Sequence, residues 1–419
     1  SVLKVFKIQG VIFAMPSIAN KKLNKLSKFF VNKNIFIAKV PEISELITNQ
    51  KKIHQISQFN TKDFLARSEI NTDLKKYKLN LKNKVIAVTG SGGSIGSELC
   101  NQLLNSGAKK VILIENHEYS LFKIIKQLEK TYQRDRYNYY LCDIKKKKRL
   151  KQIFKDNKVS FVYHAAAYKH VELLENNIFE AIYNNVFGTL KCLYACKEAK
   201  VKKFILISTD KAVNPTSIMG GTKRISEILV SSLSEELSNK FNLKTCIVRF
   251  GNVLRSHGSV IPIFEKQIQE GGPITITHPE VSRFFMTINE AVKLVILASN
   301  ILDDNKTYIL NMGKQRRIFD LAKELVLING FIPVLKKTKR LGEINIIFTG
   351  LKKGEKLKEE LHISNELFDT KIPKIKFVVE PFMDSNELYE MIGEIKTYLK
   401  SYNKKKIIEL LIKYTNFKI

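Results

Sequence analysis

Short apolar runs alternate with segments of helical periodicity through the middle of the chain. The predicted strands cover 84–89, 110–114, 159–163, 203–208 and 244–249, and the predicted helices between them cover 94–106, 118–131, 176–198 and 217–238. Strands that alternate with helices in this way are typical of a parallel sheet covered by helices on both faces. The pattern therefore predicts an α/β fold with a Rossmann-type, doubly wound parallel sheet.

The flanking segments have different patterns. An apolar strand at 11–17, a basic helix at 20–31 and a strand at 35–39 resemble the back half of a small α/β domain. Because Ser1 is not an initiator methionine, we expect a piece of a longer chain. The predicted organisation is a partial N-terminal α/β domain (1–60), a linker or latch (61–82), a Rossmann domain (83–254), a smaller C-terminal substrate lobe (255–385) with some elements completing the Rossmann domain, and a helical tail (386–419).

Composition is that of a globular chain with a large positive charge. Of the 419 residues, 44% are hydrophobic and 26% charged, and the formal net charge is +31. The cations are 60 lysines and 11 arginines, whereas surfaces that read bases rely on arginine. We interpret the runs Lys145–Lys148, Lys336–Arg340 and Lys404–Lys406 as solvated faces. No specific nucleic-acid partner is predicted, and attraction to anionic ligands or an anionic membrane surface is favoured.

Two further patterns limit the class of protein. No apolar stretch approaches the roughly 18–20 residues that a membrane helix needs. The five cysteines are scattered, and Cys192 and Cys196 share a helix face without a second pair at ligand spacing. This usage predicts reduced core thiols in a cytosolic compartment and no metal site.

The run VTGSGGSIGSELC is the first motif with a chemical meaning. Gly90, Gly93 and Gly96 follow a strand directly and open a helix. Without side chains, the backbone can approach a pyrophosphate, whose charge then lies at the helix N-terminus. A tight turn without a ligand is the alternative, but the placement favours a dinucleotide site.

Polar and small residues at the following strand ends extend this site. Glu115 is placed to hold the adenosine ribose hydroxyls and to repel a 2′-phosphate, which favours NAD over NADP, although a helix-start carboxylate is the alternative. Asp143 could reach the adenine edge or be an ordinary loop acid, and Lys169 and His170 could contact phosphate or substrate or lie on the surface. The predicted cofactor-binding set is Gly90, Gly93, Ser94, Ile95, Gly96, Glu115, Asp143, Ile144, Ala165, Ala166 and Lys223.

A second polar centre lies where a later strand ends. Thr209, Asp210 and Lys211 are followed on the next helix by Met219 and Lys223, one turn apart. A short-chain dehydrogenase carries its tyrosine base at the Met219 position, and a thioether cannot carry a proton. Asp210 and Lys211 can act as an acid/base pair, as dehydration beside a transient ketone requires, whereas a loop salt bridge is the alternative.

At this point the chain resembles the CapD-type polysaccharide-biosynthesis proteins, the long, membrane-anchored UDP-N-acetylglucosamine 4,6-dehydratases. The matching runs are TGSGGSIGSEL, HAAAYKHV, STDKAVNPTSIMGGTKR, RFGNVLRSHGSVIP, GGPITITHPEVSRFFMT and TGLKKGEKLKEEL, over about 84–361. The resemblance implies NAD as cofactor and conversion of UDP-GlcNAc to UDP-4-keto-6-deoxy-GlcNAc for bacterial surface polysaccharide or glycoprotein glycans. It also implies a homo-oligomer on the cytoplasmic face of the inner membrane, anchored through N-terminal segments that precede this chain.

The resemblance also implies residue roles. Asp210 would be the acid and Lys211 the base, Thr209 would bind near the C4 oxygen, and Lys223 would hold the nicotinamide ribose. Met219 marks the long branch of the family, for which retention of the C5 configuration is expected. The implied substrate-binding set is Lys169, His170, Asn252, Val260, Arg283, Glu355 and Lys356.

Three positions depart from the family pattern. Glu172 stands where proline is usual, Lys352-Lys353 where Arg-Pro is usual, and Gly221 where alanine is usual. The second departure puts the nucleotide-side contacts in doubt. Two other functions stay open: a nucleotide-sugar 4-epimerase, which needs no C5 base, and a catalytically silent NAD-bound scaffold.

Overall fold

The computed structural model describes most of the chain after residue 78. It covers 79–418 apart from 257, 303–305, 336–341, 363–365 and 381, together with residues 8, 10–14, 26, 29–30, 35–39 and 74. The predicted helix at 20–31, the linker at 61–82 and the lysine run at 336–340 therefore lie largely or wholly outside the described residues. Within the described residues, the helices all fall short of the length and apolarity that crossing a membrane requires.

The described elements are numbered in chain order. The strands are β1 Gly10–Phe13, β2 Phe36–Lys39, β3 Val85–Thr89, β4 Lys110–Glu115, β5 Tyr137–Leu141, β6 Phe161–His164, β7 Lys203–Thr209, β8 Lys244–Phe250, β9 Asn252–Val253, β10 Ile274–Ile276, β11 Ser282–Arg283, β12 Phe285–Met286, β13 Thr307–Leu310, β14 Arg316–Arg317, β15 Ile332–Val334, β16 Glu343–Phe348, β17 Phe368–Asp369 and β18 Ile375–Val378. The α-helices are α1 Ser94–Asn105, α2 Glu118–Leu128, α3 Lys147–Asp156, α4 Val171–Asn176, α5 Ile178–Ala181, α6 Gly188–Glu198, α7 Ile218–Phe241, α8 Val260–Gln269, α9 Ile288–Asn300, α10 Ile318–Ile328, α11 Ser385–Lys400 and α12 Lys404–Thr415.

These elements fall into two compact units, each built from separate stretches of chain. The larger unit takes Ile70–Asn252, Ile288–Gly313 and Lys352–Ile419, so the helical tail packs with the Rossmann core. The smaller unit takes Ser1–Glu69, Val253–Thr287 and Lys314–Leu351. Residues of the predicted substrate lobe are thus divided between the two units.

The larger unit contains a nine-stranded sheet in the order β17-β18-β13-β8-β7-β6-β3-β4-β5. The strands from β13 to β5 are parallel, whereas β18 and β17 pair antiparallel at one edge. The chain moves outward from β3 to β4 and β5 and then returns to β6 on the other side of β3. Ligands of open α/β sheets bind outside the carboxyl ends of the strands at such a reversal. The predicted doubly wound α/β fold is confirmed.

The core of the larger unit is formed by the sheet together with α3, α6, α7, α11 and α12. Leu193, Leu229 and Leu411 represent three of these helices, and each side chain is fully buried. All five cysteines are free and buried, as predicted for core thiols.

A buried ion network joins the sheet to α7. Arg249 on β8 has no exposed surface, and its guanidinium donates to Glu227 Oε2 at 2.7 Å and to Glu380 Oε1 at 2.6 Å. Glu227 Oε1 also accepts the Ser208 hydroxyl at 2.6 Å. Burial opposes ionisation of Glu227, but Arg249 outweighs it and holds the pKa of that carboxyl below its usual value. The network therefore fixes the end of β7 against α7.

The smaller unit has its own core and a parallel sheet. Its strands follow the order β10-β16-β15, and α10 covers them with Leu321 and Leu325 fully buried among Ile274 and Ile344. In the same unit β1 pairs in parallel with β2, in keeping with the small α/β segment expected there.

Several element predictions need correction. The helix predicted over 176–198 is divided into α5, a π-helical turn at Ile182–Phe187 and α6, because backbone and side-chain hydrogen bonds around Asn185 compete with regular helix geometry. Helix α3 lies where no helix was predicted, whereas β5 is the strand expected before Asp143, for which no bounds were predicted. The lysine run 145–148 runs into α3, where Lys147 pairs with Glu198 at 2.8 Å.

Candidate active site

The glycine loop between β3 and α1 is shaped by close backbone approaches. Gly90 has a positive φ of 68°, and a Cβ there would lie 2.8 Å from Ala165 and Ala166 backbone atoms. A Cβ on Gly96 would lie 2.0 Å from the Gly90 carbonyl oxygen. Gly93 precedes α1 as its N-terminal cap, and Ser94 and Ile95 begin the helix. The predicted loop residues are therefore brought together at the N-terminus of α1.

The loop also contains a polar atom with unused hydrogen-bonding capacity. The Ser91 hydroxyl is buried and has no hydrogen-bond partner among the described residues. A hydroxyl in a glycine loop at a helix N-terminus can donate to a phosphate oxygen. The loop therefore fits a dinucleotide pyrophosphate, and Ser91 is a candidate contact that the sequence analysis missed.

The two predicted acids lie at neighbouring strand ends. Glu115 ends β4, and its carboxylate accepts Gly92 N at 2.9 Å and His117 N at 3.1 Å, which ties β4 to the glycine loop. Asp143 follows β5 and accepts Lys145 N at 2.8 Å. Both acids thus share the carboxyl edge of the sheet with the glycine loop, whereas Ile144 is a buried core residue.

The segment after β6 approaches the same loop. Backbone atoms of Ala165 and Ala166 lie 2.8 Å from the place that a Cβ on Gly90 would take. The backbone of Tyr168 is held at both its N–H and its carbonyl by the Asn185 side chain, at 2.8 and 3.0 Å. Lys169 and His170, predicted as phosphate or substrate contacts, are exposed.

Thr209, Asp210 and Lys211 form a hydrogen-bonded cluster at the carboxyl end of β7. Asp210 has no exposed surface, and its Oδ1 accepts Thr209 Oγ1 at 2.8 Å and Lys211 Nζ at 3.0 Å. Its Oδ2 is buried and has no hydrogen-bond partner among the described residues. The cluster therefore holds an ammonium against a carboxylate that keeps one oxygen available for a further donor.

Helix α7 places Met219 and Lys223 beside this cluster. Gly220 permits the approach, because a Cβ there would lie 2.2 Å from the Lys211 carbonyl oxygen. Lys223 is buried and its Nζ donates to Ile207 O at 2.7 Å. Burial lowers the pKa of Lys223 to about 8, although the charge of Glu227 opposes this. Met219 is 4% exposed and belongs to the hydrophobic core, and its thioether has no proton to exchange.

Two residues distant in sequence complete the surroundings of Lys211. Asn252 Oδ1 accepts Lys211 Nζ at 3.0 Å, and Glu359 Oε1 lies 3.6 Å from the same nitrogen. Asn252 was predicted as a substrate contact, and the structure places its carbonyl on Lys211. Glu359 was not predicted, although it lies within the quoted run TGLKKGEKLKEEL.

The loop 352–360 is bound to the segment that follows Lys211. Lys356 Nζ donates to Val213 O at 2.7 Å, and Thr216 Oγ1 donates to Gly354 O at 3.0 Å. Burial lowers the pKa of Lys356. Glu355, its predicted partner in substrate binding, accepts Lys352 N within the loop.

Lys352 occupies one of the positions where the chain departs from the family pattern. Its ammonium pairs with Glu172, a second such position, at 2.6 Å. The two departures thus compensate each other in charge.

Val260 and Arg283, the remaining predicted substrate contacts, belong to the smaller unit. Val260 begins α8. Arg283 lies on β11, is 6% exposed and donates from Nη1 to Ser282 O at 2.8 Å.

The fold and the site define a Rossmann-type protein of the short-chain dehydrogenase/reductase class. A parallel doubly wound sheet, a glycine loop at its topological reversal and a buried lysine on the helix after β7 are the features of that class. The described part of the larger unit contains each of these features.

Comparison with known proteins makes the relationship more specific. The sequence pattern of a family described as polysaccharide biosynthesis protein matches residues 86–380. The chain is 42% identical to the capsular polysaccharide biosynthesis protein CapD of Staphylococcus aureus over 87% of its own length, and it spans 59% of that protein. It is 33% identical to a UDP-N-acetylglucosamine 4,6-dehydratase (inverting) of Campylobacter jejuni, with 71% of this chain and 85% of that protein covered.

A similar crystal structure is that of Pen from Bacillus thuringiensis. The TM-score is 0.64 at 33% identity, with 73% of this chain and 90% of that chain covered. The protein therefore belongs to the polysaccharide biosynthesis protein family that includes CapD.

Proposed function

We propose that the protein is an NAD-dependent nucleotide-sugar 4,6-dehydratase that converts UDP-GlcNAc to UDP-4-keto-6-deoxy-GlcNAc. The observation that carries this proposal is the contact between Asp210 and Lys211 at the carboxyl end of β7. A buried carboxylate and an amine 3.0 Å apart provide an acid and a base, while Met219 provides neither. The dehydratase relative from Campylobacter jejuni adds support for the sugar nucleotide class.

The glycine loop is the proposed NAD site. The cradle around Gly90 and Gly96 fits a pyrophosphate, Glu115 is assigned to the adenosine ribose, and Lys223 is assigned to the nicotinamide ribose. When bound, NAD supplies the oxidant for C4 of the sugar and the reductant for C6. The protein residues then have only to bind the sugar and move its protons.

Asp210 is assigned two proton transfers. It first accepts the proton of the C4 hydroxyl as C4 becomes a ketone, with Thr209 positioned beside the C4 oxygen. The ketone acidifies the C5 proton, and Asp210 then delivers its proton to the C6 hydroxyl, which leaves as water. Asp210 is therefore ionised again when the elimination is complete, and no tyrosine is needed.

Lys211 is assigned the C5 proton. In its neutral form it removes this proton as the C6 hydroxyl leaves, and it returns a proton to C5 after C6 has been reduced. Because one side chain performs both transfers, the proton leaves and returns on the same face of the sugar. The expected product keeps the C5 configuration of the substrate.

The proposal is tested by incubating the NAD-loaded chain with UDP-GlcNAc and identifying the product by mass spectrometry. A dehydratase forms a nucleotide sugar that has lost one water. A 4-epimerase forms an isomer of unchanged mass, and a silent scaffold forms no product although NAD is bound. Either of the last two results would remove the dehydratase assignment.

A further inference from the structure

Glu359 is a buried carboxylate beside Lys211. It is 4% exposed, and its Oε1 lies 3.6 Å from Lys211 Nζ. The same nitrogen lies 3.0 Å from Asp210 Oδ1 and 3.0 Å from Asn252 Oδ1. Three acceptors from separate parts of the chain therefore converge on one amine.

Burying a carboxylate has a large desolvation cost unless a positive charge or hydrogen-bond donors compensate for it. Lys211 is a cation within ion-pair distance of Glu359, and it has three N–H donors in its charged form. Asp210 and Asn252 each accept a hydrogen bond from this amine at 3.0 Å, and Glu359 lies 3.6 Å from it. The arrangement fixes the direction in which the lysine points.

The position of Glu359 is fixed from both sides along the 352–360 loop. Lys356 Nζ donates to Val213 O at 2.7 Å, and Glu360 accepts Asn214 Nδ2 at 2.8 Å. Both partners follow Lys211 closely in the chain. The carboxylate and the amine are thus parts of one connected piece of structure.

We propose that Glu359 is a positioning residue that directs the Lys211 amine and stabilises the positive charge formed there when Lys211 accepts a proton. The inference rests on the proposed function only for the identity of that proton, the one on C5 of the sugar. Without Glu359 the amine would be a weaker base and less firmly oriented. The residue would act through Lys211 and need not touch the sugar.

Lys211 has charged neighbours on two parts of the chain. Asp210 on the turn after β7 and Glu359 on the 352–360 loop lie within ion-pair distance of its ammonium, and Lys356 on the same loop interacts with it as a second positive charge. Lys356 is a cation and opposes the effect of the two carboxylates on Lys211. Replacing Glu359 alone therefore isolates its own contribution.

The first measurement needs no substrate. Trace labelling of lysines with acetic anhydride at a series of pH values, read by peptide mass spectrometry, reports the pH at which Lys211 becomes a free amine. In Glu359→Gln, this midpoint should move about one unit lower than in the parent chain, because an opposite charge at this distance favours the ammonium. Glu359→Asp, which keeps the charge, should return it toward the parent value.

Glu360→Gln is the matched control. It makes the same chemical change one residue along, at an exposed carboxylate that contacts Asn214 rather than Lys211. In Glu360→Gln, the pH midpoint for labelling of Lys211 should equal that of the parent. Equal midpoints in Glu359→Gln and Glu360→Gln would overturn the inference, whatever the activity of the chain.

The second measurement is the pH dependence of turnover with UDP-GlcNAc. A neutral amine is required, so turnover rises with pH, and in Glu359→Gln this rise should begin about one unit lower while the maximum falls roughly tenfold or more. The Lys211 labelling midpoint could move in Glu359→Gln while the parent shows no turnover of UDP-GlcNAc. That result would contradict the proposed function and leave the role of Glu359 intact. An unmoved profile in an active Glu359→Gln chain would contradict the role of Glu359 alone.

Discussion

Lys211 Nζ lies 3.0 Å from Oδ1 of Asp210, a residue with no exposed surface. The two residues are adjacent in the chain, and the turn Asp210–Ala212 after β7 directs both side chains to one place. Thr209 Oγ1 donates to the same carboxylate oxygen at 2.8 Å. Each member of such a pair can accept a proton and release it again within one catalytic cycle.

Removing either member of this pair should stop turnover without preventing cofactor binding. Asp210→Asn and Lys211→Ala are each expected to reduce turnover of UDP-GlcNAc by about 10²–10⁴-fold, the usual contribution of a general acid or base. NAD content, measured after denaturation of the purified protein, should equal that of the parent. The exposed Lys240→Ala variant is the control. Near-parental turnover in Lys211→Ala would show that Lys211 is not the base.

The buried Lys223 should make stability depend on pH. Its pKa is lowered to about 8 by burial from an ordinary value of 10.5 in the unfolded chain. Between these two values the unfolded chain binds more protons, so the free energy of unfolding rises with pH across this window and is independent of this group below it.

Lys223→Met removes this dependence. At pH 8 the variant should have a larger free energy of unfolding than the NAD-free parent. This difference should become roughly 3 kcal/mol smaller by pH 10.5. Chemical denaturation at several pH values measures it. A constant difference across the window would mean that Lys223 is not desolvated, and Lys240→Met should give such a constant difference.

Of two glycine-to-alanine variants, one should weaken NAD binding and the other should raise stability. Gly96→Ala places a Cβ 2.0 Å from the Gly90 carbonyl oxygen, so the loop must shift and NAD affinity should fall at least tenfold. In Gly393→Ala, an exposed helical position with nothing within 4 Å of the new Cβ, stability should rise by about 0.5–1 kcal/mol. Titration with NAD and thermal unfolding distinguish the two effects. Unchanged NAD affinity in Gly96→Ala would contradict the assignment of the glycine loop as the NAD site.

The buried ion network should be sensitive to loss of one partner. Arg249→Met leaves Glu227 buried without its main cation, and the expected loss in free energy of unfolding is about 3–5 kcal/mol. The double variant Arg249→Met with Glu227→Met removes both charges and should be more stable than the single variant. If the double variant were less stable than Arg249→Met, the charge on Glu227 would not be the cause of the loss.

The sequence predicted the centre of the fold well and its edges less well. Strands β3, β4, β7 and β8 lie within a residue or so of their predicted ends, because strands buried on both faces are nearly continuous apolar runs. A strand was expected before Asp143 but no bounds were predicted for it, because β5 is an edge strand whose exposed Tyr139 and Leu141 side chains weaken the apolar pattern.

Local motifs in the sequence indicated the candidate site, but not its distant contacts. The glycine loop and Thr209-Asp210-Lys211 are short stretches whose geometry follows from one strand end each. Glu359 reaches Lys211 only through tertiary folding across more than a hundred residues, and no spacing rule predicts that contact. Asn252 was predicted to contact the substrate, and its contact with Lys211 also forms only through tertiary folding.

The most direct test of the account is proton NMR of the NAD-loaded chain with UDP-GlcNAc in deuterated water. The account predicts a new C6 methyl signal that is a singlet rather than a doublet, because Lys211 delivers deuterium to C5. The same spectrum of Lys211→Ala should contain only substrate. A methyl signal of equal size in Lys211→Ala, or a C4 epimer without a methyl signal in the parent, would contradict the assignment of Asp210 and Lys211 as the acid and base of a dehydratase.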